Sequence, residues 1–466
     1  MKKNKWKIAF SALIISGVLL SSYWRDVPLT AQAIALDQPV LATIDEKENG
    51  YFYFVGLTSE REKNPAEVGK AYITEYETLL QASPPASAKQ FQQLNERPSI
   101  KFVVSANEHP HSICRVQNEA CINKFVLAAD KLRKIELDNS ALIERYETLL
   151  KYPQYAEVST PSTYLSFTSF SATQGLNQLR CAKAAIRLAS GNTDAALDSL
   201  ETSIQFWHNN LRGSTTLLSR MVATANLKTS YYFLNDFFYY NPTIAQSHYG
   251  RIQKILANFN SADTDFTNPI KGEFRFGANF FKRMKVDKDE SLARDEIAEE
   301  KLSVMEKVGL YLHKTPLFRT NATVNRHAEI FTRYLELAQL PAHELIEKKQ
   351  KVSEYLQRDF DPANHWLRDS TYNLFGNRLL SAGFPPLFDF QLRTHELNGY
   401  VRLLKLKLEI RRRALPLTDV PAYLSSADST LFNPYTRQPM SWDAKTGKLS
   451  FNPATPGDNK AIEVGI

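Results

Sequence analysis

The stretch 176-LNQLRCAKAAIRLASGNTDAALDSLETSIQFWHNNLRGSTTLLSRMVATANLKTSYYFLNDFFYY-240 decides the fold. Leu179, Ala182, Ile186 and Ala189 recur at steps of three and four, the spacing that lines one face of a helix. Gly191 supplies the stop, since glycine takes positive φ without steric penalty. Asn192, Thr193 and Asp194 offer caps to the next helix. Leu197, Leu200, Ile204, Trp207 and Leu211 repeat the pattern, Gly213-Ser214 interrupts it, and Leu227, Tyr231, Leu234 and Phe238 carry a third stripe. Apolar faces of this size do not stay in water. The spacing therefore predicts a helical hairpin plus a third helix that seeds the core, with Trp207 buried inside it.

Within that stretch Gly191-Asn192, Ala196, Leu200 and Ile204 resemble the turn and second helix of a tetratricopeptide unit. A period of about 34 residues would place a second glycine turn near residue 225, where the chain instead reads Ala223-Thr224-Ala225-Asn226. The expected fold is mainly α, a multi-helical bundle or a tetratricopeptide-like array. Outward from the centre, Asn64-Pro65 is a capped helix start running to about Gln81, and helical spacing returns from Phe125 to Leu150. Tyr51-Phe52-Tyr53-Phe54 suits a short strand or a docked helix. Further helices are expected at 287–311, 325–340 and 342–357, and at Leu392–Arg412 with a Leu397, Val401, Leu404, Leu408 stripe. Beyond Leu415 the chain changes to turn chemistry, and Ser441 to Phe451 alternates around Lys445-Thr446-Gly447, a small β-hairpin that Ile462-Glu463-Val464 extends. The domain reading is 1–24, 25–415 and 416–466.

Residues 1–24 carry an address. Lys2, Lys3, Lys5 and Lys7 precede 17 uncharged, mainly apolar residues, Ile8 to Trp24. Such a segment is either a retained signal anchor or a cleaved signal peptide. Trp6 and Tyr23-Trp24 sit at its ends like interfacial aromatics, and the nearest small-x-small site, Ala31-Gln32-Ala33, lies well downstream, so a retained anchor is expected. The basic flank then leaves the N-terminus in the cytoplasm and the bulk of the chain in the periplasm. The net charge of +7 has the same origin: without those four lysines, 53 basic side chains face 50 acidic ones. A nucleic-acid-binding fold shows a clustered excess, so nucleic acid is not an expected partner.

Three cysteines remain, Cys114, Cys121 and Cys181. In an oxidising compartment Cys114 and Cys121 are expected to bond to one another, and Cys181, on a helical face, to be a buried thiol. His109 and His111 nearby raise the alternative of a metal site, but the spacing of the two cysteines is not that of a structural zinc. No metal or cofactor is expected. The chain has no phosphate loop, no G-x-S-x-G elbow and no H-E-x-x-H; His343-Glu344 lacks the second histidine. Arg393, His395, Glu396 and Asn398 form the densest polar cluster, read either as a solvated helix start or as a base with its orienter. Glu273 between Lys271 and Arg275 is a second candidate. Lys405, Lys407, Arg411, Arg412 and Arg413 crowd a helix C-terminus, where cations offset the dipole or meet an anionic polymer.

Asn321-Ala322-Thr323-Val324-Asn325, Asn373-Leu374-Phe375-Gly376-Asn377 and His395-Glu396-Leu397-Asn398-Gly399 together resemble a group of uncharacterised, N-terminally anchored helical proteins of Gram-negative bacteria. Asn433 to Met440 resembles the Asp-Pro-Phe-Thr-Gly-x-Pro-type tail of such proteins, with Asn433 in place of Asp and Arg437 in place of Gly. The resemblance implies a location and an architecture and transfers no catalytic residue. The expected role is a membrane-anchored periplasmic scaffold or interaction protein whose partners are envelope proteins. The alternative is a periplasmic hydrolase acting on a cell-wall or peptide substrate.

Overall fold

Short polar side chains set where the helices begin. Asn49 accepts from the Tyr51 N–H at the start of α1 (Gly50–Val55), and Asn64 from the Ala66 N–H at the start of α2 (Pro65–Gln81). Ser87 and Gln90 form a reciprocal capping box on α3 (Ala88–Asn95). The expected core forms as α4 (Ser169–Ala189), α5 (Thr193–Gly213) and α6 (Leu217–Tyr240), the last two capped by Asn192 and Thr216. Gly191, between α4 and α5, takes φ +84°, the left-handed value its position required. The computed structural model describes residues 25–39, 44–83, 85–104, 110–114, 121–166, 169–294, 318–360, 372–382, 387–455 and 460–466. The expected membrane segment, Ile8–Trp24, lies outside them, as do His109 and most of the helix expected at 287–311. Among the described residues no helix is long and apolar enough to cross a membrane.

The chain divides into two compact units: Met1–Gln38, Phe274–Tyr334 and Gln350–Pro385 form one, and Pro39–Glu273, Leu335–Lys349 and Pro386–Ile466 the other. The sequence suggested one helical body with an appended tail; the division instead gathers segments far apart in the chain, and the tail belongs to the larger unit.

In the larger unit α4, α5 and α6 each pack on the other two, and α7 (Leu387–Arg412) packs on α6. Trp207 is wholly buried, donates from Nε1 to the Tyr146 hydroxyl at 3.0 Å, and meets Phe54 and Phe206 edge-on. Leu397, Val401, Leu404 and Leu408 on α7 are buried as their spacing predicts. The helical spacing from Phe125 to Leu150 is realised as three short helices, Ile122–Leu127, Ala129–Asp138 and Ser140–Leu149. Cys114 and Cys121 are disulfide-bonded, and Cys181 is a buried thiol whose pKa burial pushes up to about 12. The tail is a three-stranded antiparallel sheet, β1 (Ser441–Asp443), β2 (Lys448–Phe451) and β3 (Ile462–Gly465), in that order. Its Leu449, Phe451 and Val464 are buried, and the Phe451 ring lies where Gly399 of α7 has no side chain. Arg437 takes φ +57°, the left-handed region that favours glycine.

The smaller unit explains two of the sequence motifs. Asp26 accepts from the N–H groups of Asn321 and Ala322, at 2.8 and 3.1 Å, and so caps helix Thr320–Leu335. Asn325 holds the chain before it, accepting from Thr30 N–H at 2.8 Å and donating to Pro28 O at 2.9 Å. Asn373 takes φ +56°, accepts from Arg319 N–H at 2.7 Å and donates to Thr323 Oγ1 at 2.9 Å. The two asparagine motifs are therefore one structural joint. Beside it His327 packs among Phe274, Phe281 and Phe331, over a gap that Gly277 leaves open, and burial pushes its pKa down to about 3.

Candidate functional site

The polar cluster expected on α7 does not converge. The helix begins at Leu387, so His395 sits in its interior and not at its start. His395 is 3% exposed, and burial, followed by the charges of Arg402 and Arg220, pushes its pKa down to about 4. Glu396 accepts from the backbone and hydroxyl of Thr455 and so anchors the tail. Arg393 is exposed and lies over the Phe390 ring, while Asn398 accepts from Arg402. Four neighbours in sequence thus have four separate structural jobs. The solvated reading of His395 fails because the helix gains one more turn at its N-terminus and carries the ring into the core.

Other sequence candidates are also engaged. Glu344 pairs with Lys348 one turn on. Lys407 is fully buried, donates to Asn235 at 2.9 Å, and stands 3.9 Å from the centre of the Tyr239 ring. Arg411 donates to Phe238 O, and Arg412 and Arg413 pair with Glu409. Lys405 is partly buried, which pushes its pKa down. The cations read as offsetting the helix dipole or meeting an anionic polymer are thus engaged mainly within the fold itself. Among the described residues no group of three or more His, Cys, Asp or Glu could hold a metal ion.

Sequence reasoning missed the arrangement that most resembles catalytic machinery. Tyr231 Oη lies 2.7 Å from His208 Nε2, and His208 Nδ1 lies 2.7 Å from Asp263 Oδ1. Arg212 donates two bonds to the same carboxylate, at 3.0 and 2.9 Å. Burial opposes ionisation of Asp263, but the hydrogen bonds and charges of His208 and Arg212 hold its pKa below the ordinary range. Tyr231, His208 and Asp263 are each fully buried, however, and line neither of the two cavities found beside α1. The partners of His208 lie 23 and 55 residues away, so no local spacing betrays them. The relay links α5, α6 and the segment carrying Asp263 through the core.

A pair of carboxylates at the start of α6 behaves similarly. Glu157 Oε2 accepts from Thr215 N–H, Thr215 Oγ1 and Thr216 N–H, and its other oxygen accepts from Ser219. Glu273 accepts from Leu217 N–H at 3.0 Å. Burial raises the pKa of both, and for Glu273 the charge of Glu157 adds to it. They satisfy the free N–H groups that open a helix, where its dipole favours negative charge. Glu157 also lines a chamber of about 20 Å³ with Tyr51, Phe54, Tyr155 and Phe170, room for roughly one water.

That chamber shares Val55 and Ser166 with a larger groove of about 100 Å³. Gly56 and Gly69 let α1 and α2 touch backbone to backbone, since a Cβ on either would collide with the other segment's main chain. Behind the loop after α1, the buried Arg145 guanidinium donates to five carbonyls, those of Leu57, Ser59, Glu60, Arg61 and Lys63, and fixes its path. Ser59 bridges to Ser99, and Ile100 N–H donates to Thr58 O at 2.7 Å, so Arg97, Pro98 and Ser99 form the facing wall. Tyr72 closes one end: its hydroxyl donates to Asn95 Oδ1 at 2.7 Å and accepts from Ser166 N–H at 3.0 Å. Val55, Val68 and Leu94 supply the apolar lining, and Thr58, Ser59 and Ser99 the hydroxyls. Among the described residues Arg97 is the one cation lining the groove, over the Tyr72 ring at 5.3 Å, and no Asp, Glu, His or Cys lines it. This chemistry suits binding: an apolar floor, hydrogen-bonding walls and one fixed positive charge. The sequence held little to signal it, because its walls come from a loop, a helix end and two glycines with no common motif. Comparison with known protein families, curated proteins and solved structures finds no match.

Proposed function

We propose that this chain is an interaction protein of the bacterial envelope: a helical body tethered by the Ile8–Trp24 segment in the inner membrane, facing the periplasm, and engaging partners through the Arg97 groove. One observation carries the reading. The open groove has a cation and hydrogen-bonding walls but no nucleophile beside a base, whereas the His208 relay, which has that pairing, is sealed. The Cys114–Cys121 bond supports the location, since disulfides persist in oxidising compartments. The basic flank of the N-terminal segment supports the orientation.

The test uses the full-length protein in its own envelope. A photoreactive amino acid at Ser99, on the groove wall, is expected to form a discrete adduct with one envelope component, and the same group at exposed Leu127 is not. The hydrolase alternative predicts instead turnover of cell-wall fragments or peptides by the purified protein. Turnover with no Ser99 adduct would overturn the binding reading.

A further inference from the structure

We propose that the groove recognises a carboxylate carried next to an apolar group no larger than a leucine side chain; this rests on the binding reading and names its ligand class. Three features of the groove point to it. The volume of about 100 Å³ has room for one side-chain-sized apolar group. The floor of Val55, Val68 and Leu94 is apolar, and the lining charge is a single guanidinium, whose planar fork matches a carboxylate. The third feature is the present partner of Arg97. Its guanidinium already pairs with the carboxylate of Glu75, and the Glu75 side chain is 56% exposed against 33% for Arg97.

Glu75 therefore acts as a placeholder. It lies outside the groove lining, on the solvent side of α2, and an exposed ion pair of this kind is weak and easily exchanged. Arg97 is meanwhile held in place by the face of Tyr72, and Tyr72 by its two hydrogen bonds, so the fork stays oriented when Glu75 leaves. An incoming carboxylate takes the guanidinium, its apolar neighbour covers Val55, Val68 and Leu94, and the Ser99 and Thr58 hydroxyls remain for its polar atoms. A free acid and the end of a peptide share this recognition chemistry, and the experiment separates the two sources.

The probes are 4-methylpentanoate, its amide, and two acetylated tripeptides ending in leucine, one with a free carboxylate and one amidated. Calorimetric titration of the full-length protein is expected to show binding of at least one free carboxylate and none of either amide. Preference for the peptide acid identifies a chain end as the source, and equal binding or preference for the small acid identifies a free acid. Arg97→Gln is expected to weaken that binding by at least about tenfold, the scale of a charge-assisted pair. Glu75→Gln removes the competitor and is expected to tighten it by about two- to fivefold. Binding of amides and acids alike, or a Glu75→Gln variant that binds more weakly, would overturn the ligand class. If both amides and acids fail while the Ser99 adduct still forms, the ligand class falls and the interaction reading stands.

Discussion

Two polar regions of the larger unit stand in contrast. Around Asp263, buried side chains make short hydrogen bonds to one another and are sealed from solvent; around Arg97, a mix of buried and exposed residues lines open space. The first has the residue types of a catalytic triad and the second does not. Residue identity alone would choose the first, and access chooses the second. A buried relay with its hydrogen bonds satisfied acts on stability; an open groove can admit a ligand.

The largest expected effect breaks the sealed region. Asp263→Asn removes the negative charge that faces Arg212 and the fully buried Arg220, and it disturbs the bond to His208. Removing one partner of a buried charge network costs about 3–5 kcal/mol. Thermal melts should show a large drop, and a variant as stable as the parent would refute the structural role of the relay.

Acid tests the buried core beyond the relay next. His395 is pushed down to about 4 in the folded chain and titrates near its ordinary value of about 6.5 once unfolded. The unfolded chain holds more protons between those values, so stability falls as pH drops through that window. The expected loss is about 3 kcal/mol, and it should be absent from His395→Ala. His327 in the other unit, at about 3, acts in the same direction. Asp236, raised by burial to about 7, acts oppositely: its contribution is full below about pH 4 and is lost as pH rises through 7. Denaturant midpoints at about pH 4.5 and 7 for parent and His395→Ala measure the difference. Equal acid sensitivity in the two proteins would show that His395 is not the group responsible.

A smaller effect is expected at the disulfide. Opening the Cys114–Cys121 loop by double substitution to serine should cost about 2 kcal/mol, because the closed loop is short. Cys121 N–H also donates to Asp236 at 2.8 Å, inside the core and away from the groove lining. The melt should shift and the groove should keep its ligand. Arg97→Gln should do the reverse, changing stability by no more than about 0.5 kcal/mol as a surface substitution does.

The contrast also explains what the sequence could disclose. The apolar stripes of α5 and α6 repeat at fixed steps, so Trp207, Leu211 and Leu234 announce their burial locally. Asn64-Pro65 and Gly191 do the same for helix boundaries. His395 misled because its neighbours are polar: the helix starts at Leu387, so His395 lies in its interior and is buried, which depends on packing and not on spacing. The Asp263 relay and the Arg97 groove were silent for a common reason. Each is assembled from residues tens of positions apart, where no period connects them, and the division of the chain into two units of discontinuous segments has the same long-range origin.

The most direct test sets the two regions against each other in one assay. Full-length protein carrying the photoreactive group at Ser99 is irradiated in its own envelope in three forms: parent, Arg97→Gln and Tyr231→Phe, the last removing only the relay hydroxyl. The Ser99 adduct is expected to persist in Tyr231→Phe and to disappear in Arg97→Gln, with melting temperatures confirming that both are folded. An adduct that survives Arg97→Gln and is lost in Tyr231→Phe would place the function at the buried relay and contradict a role for the groove.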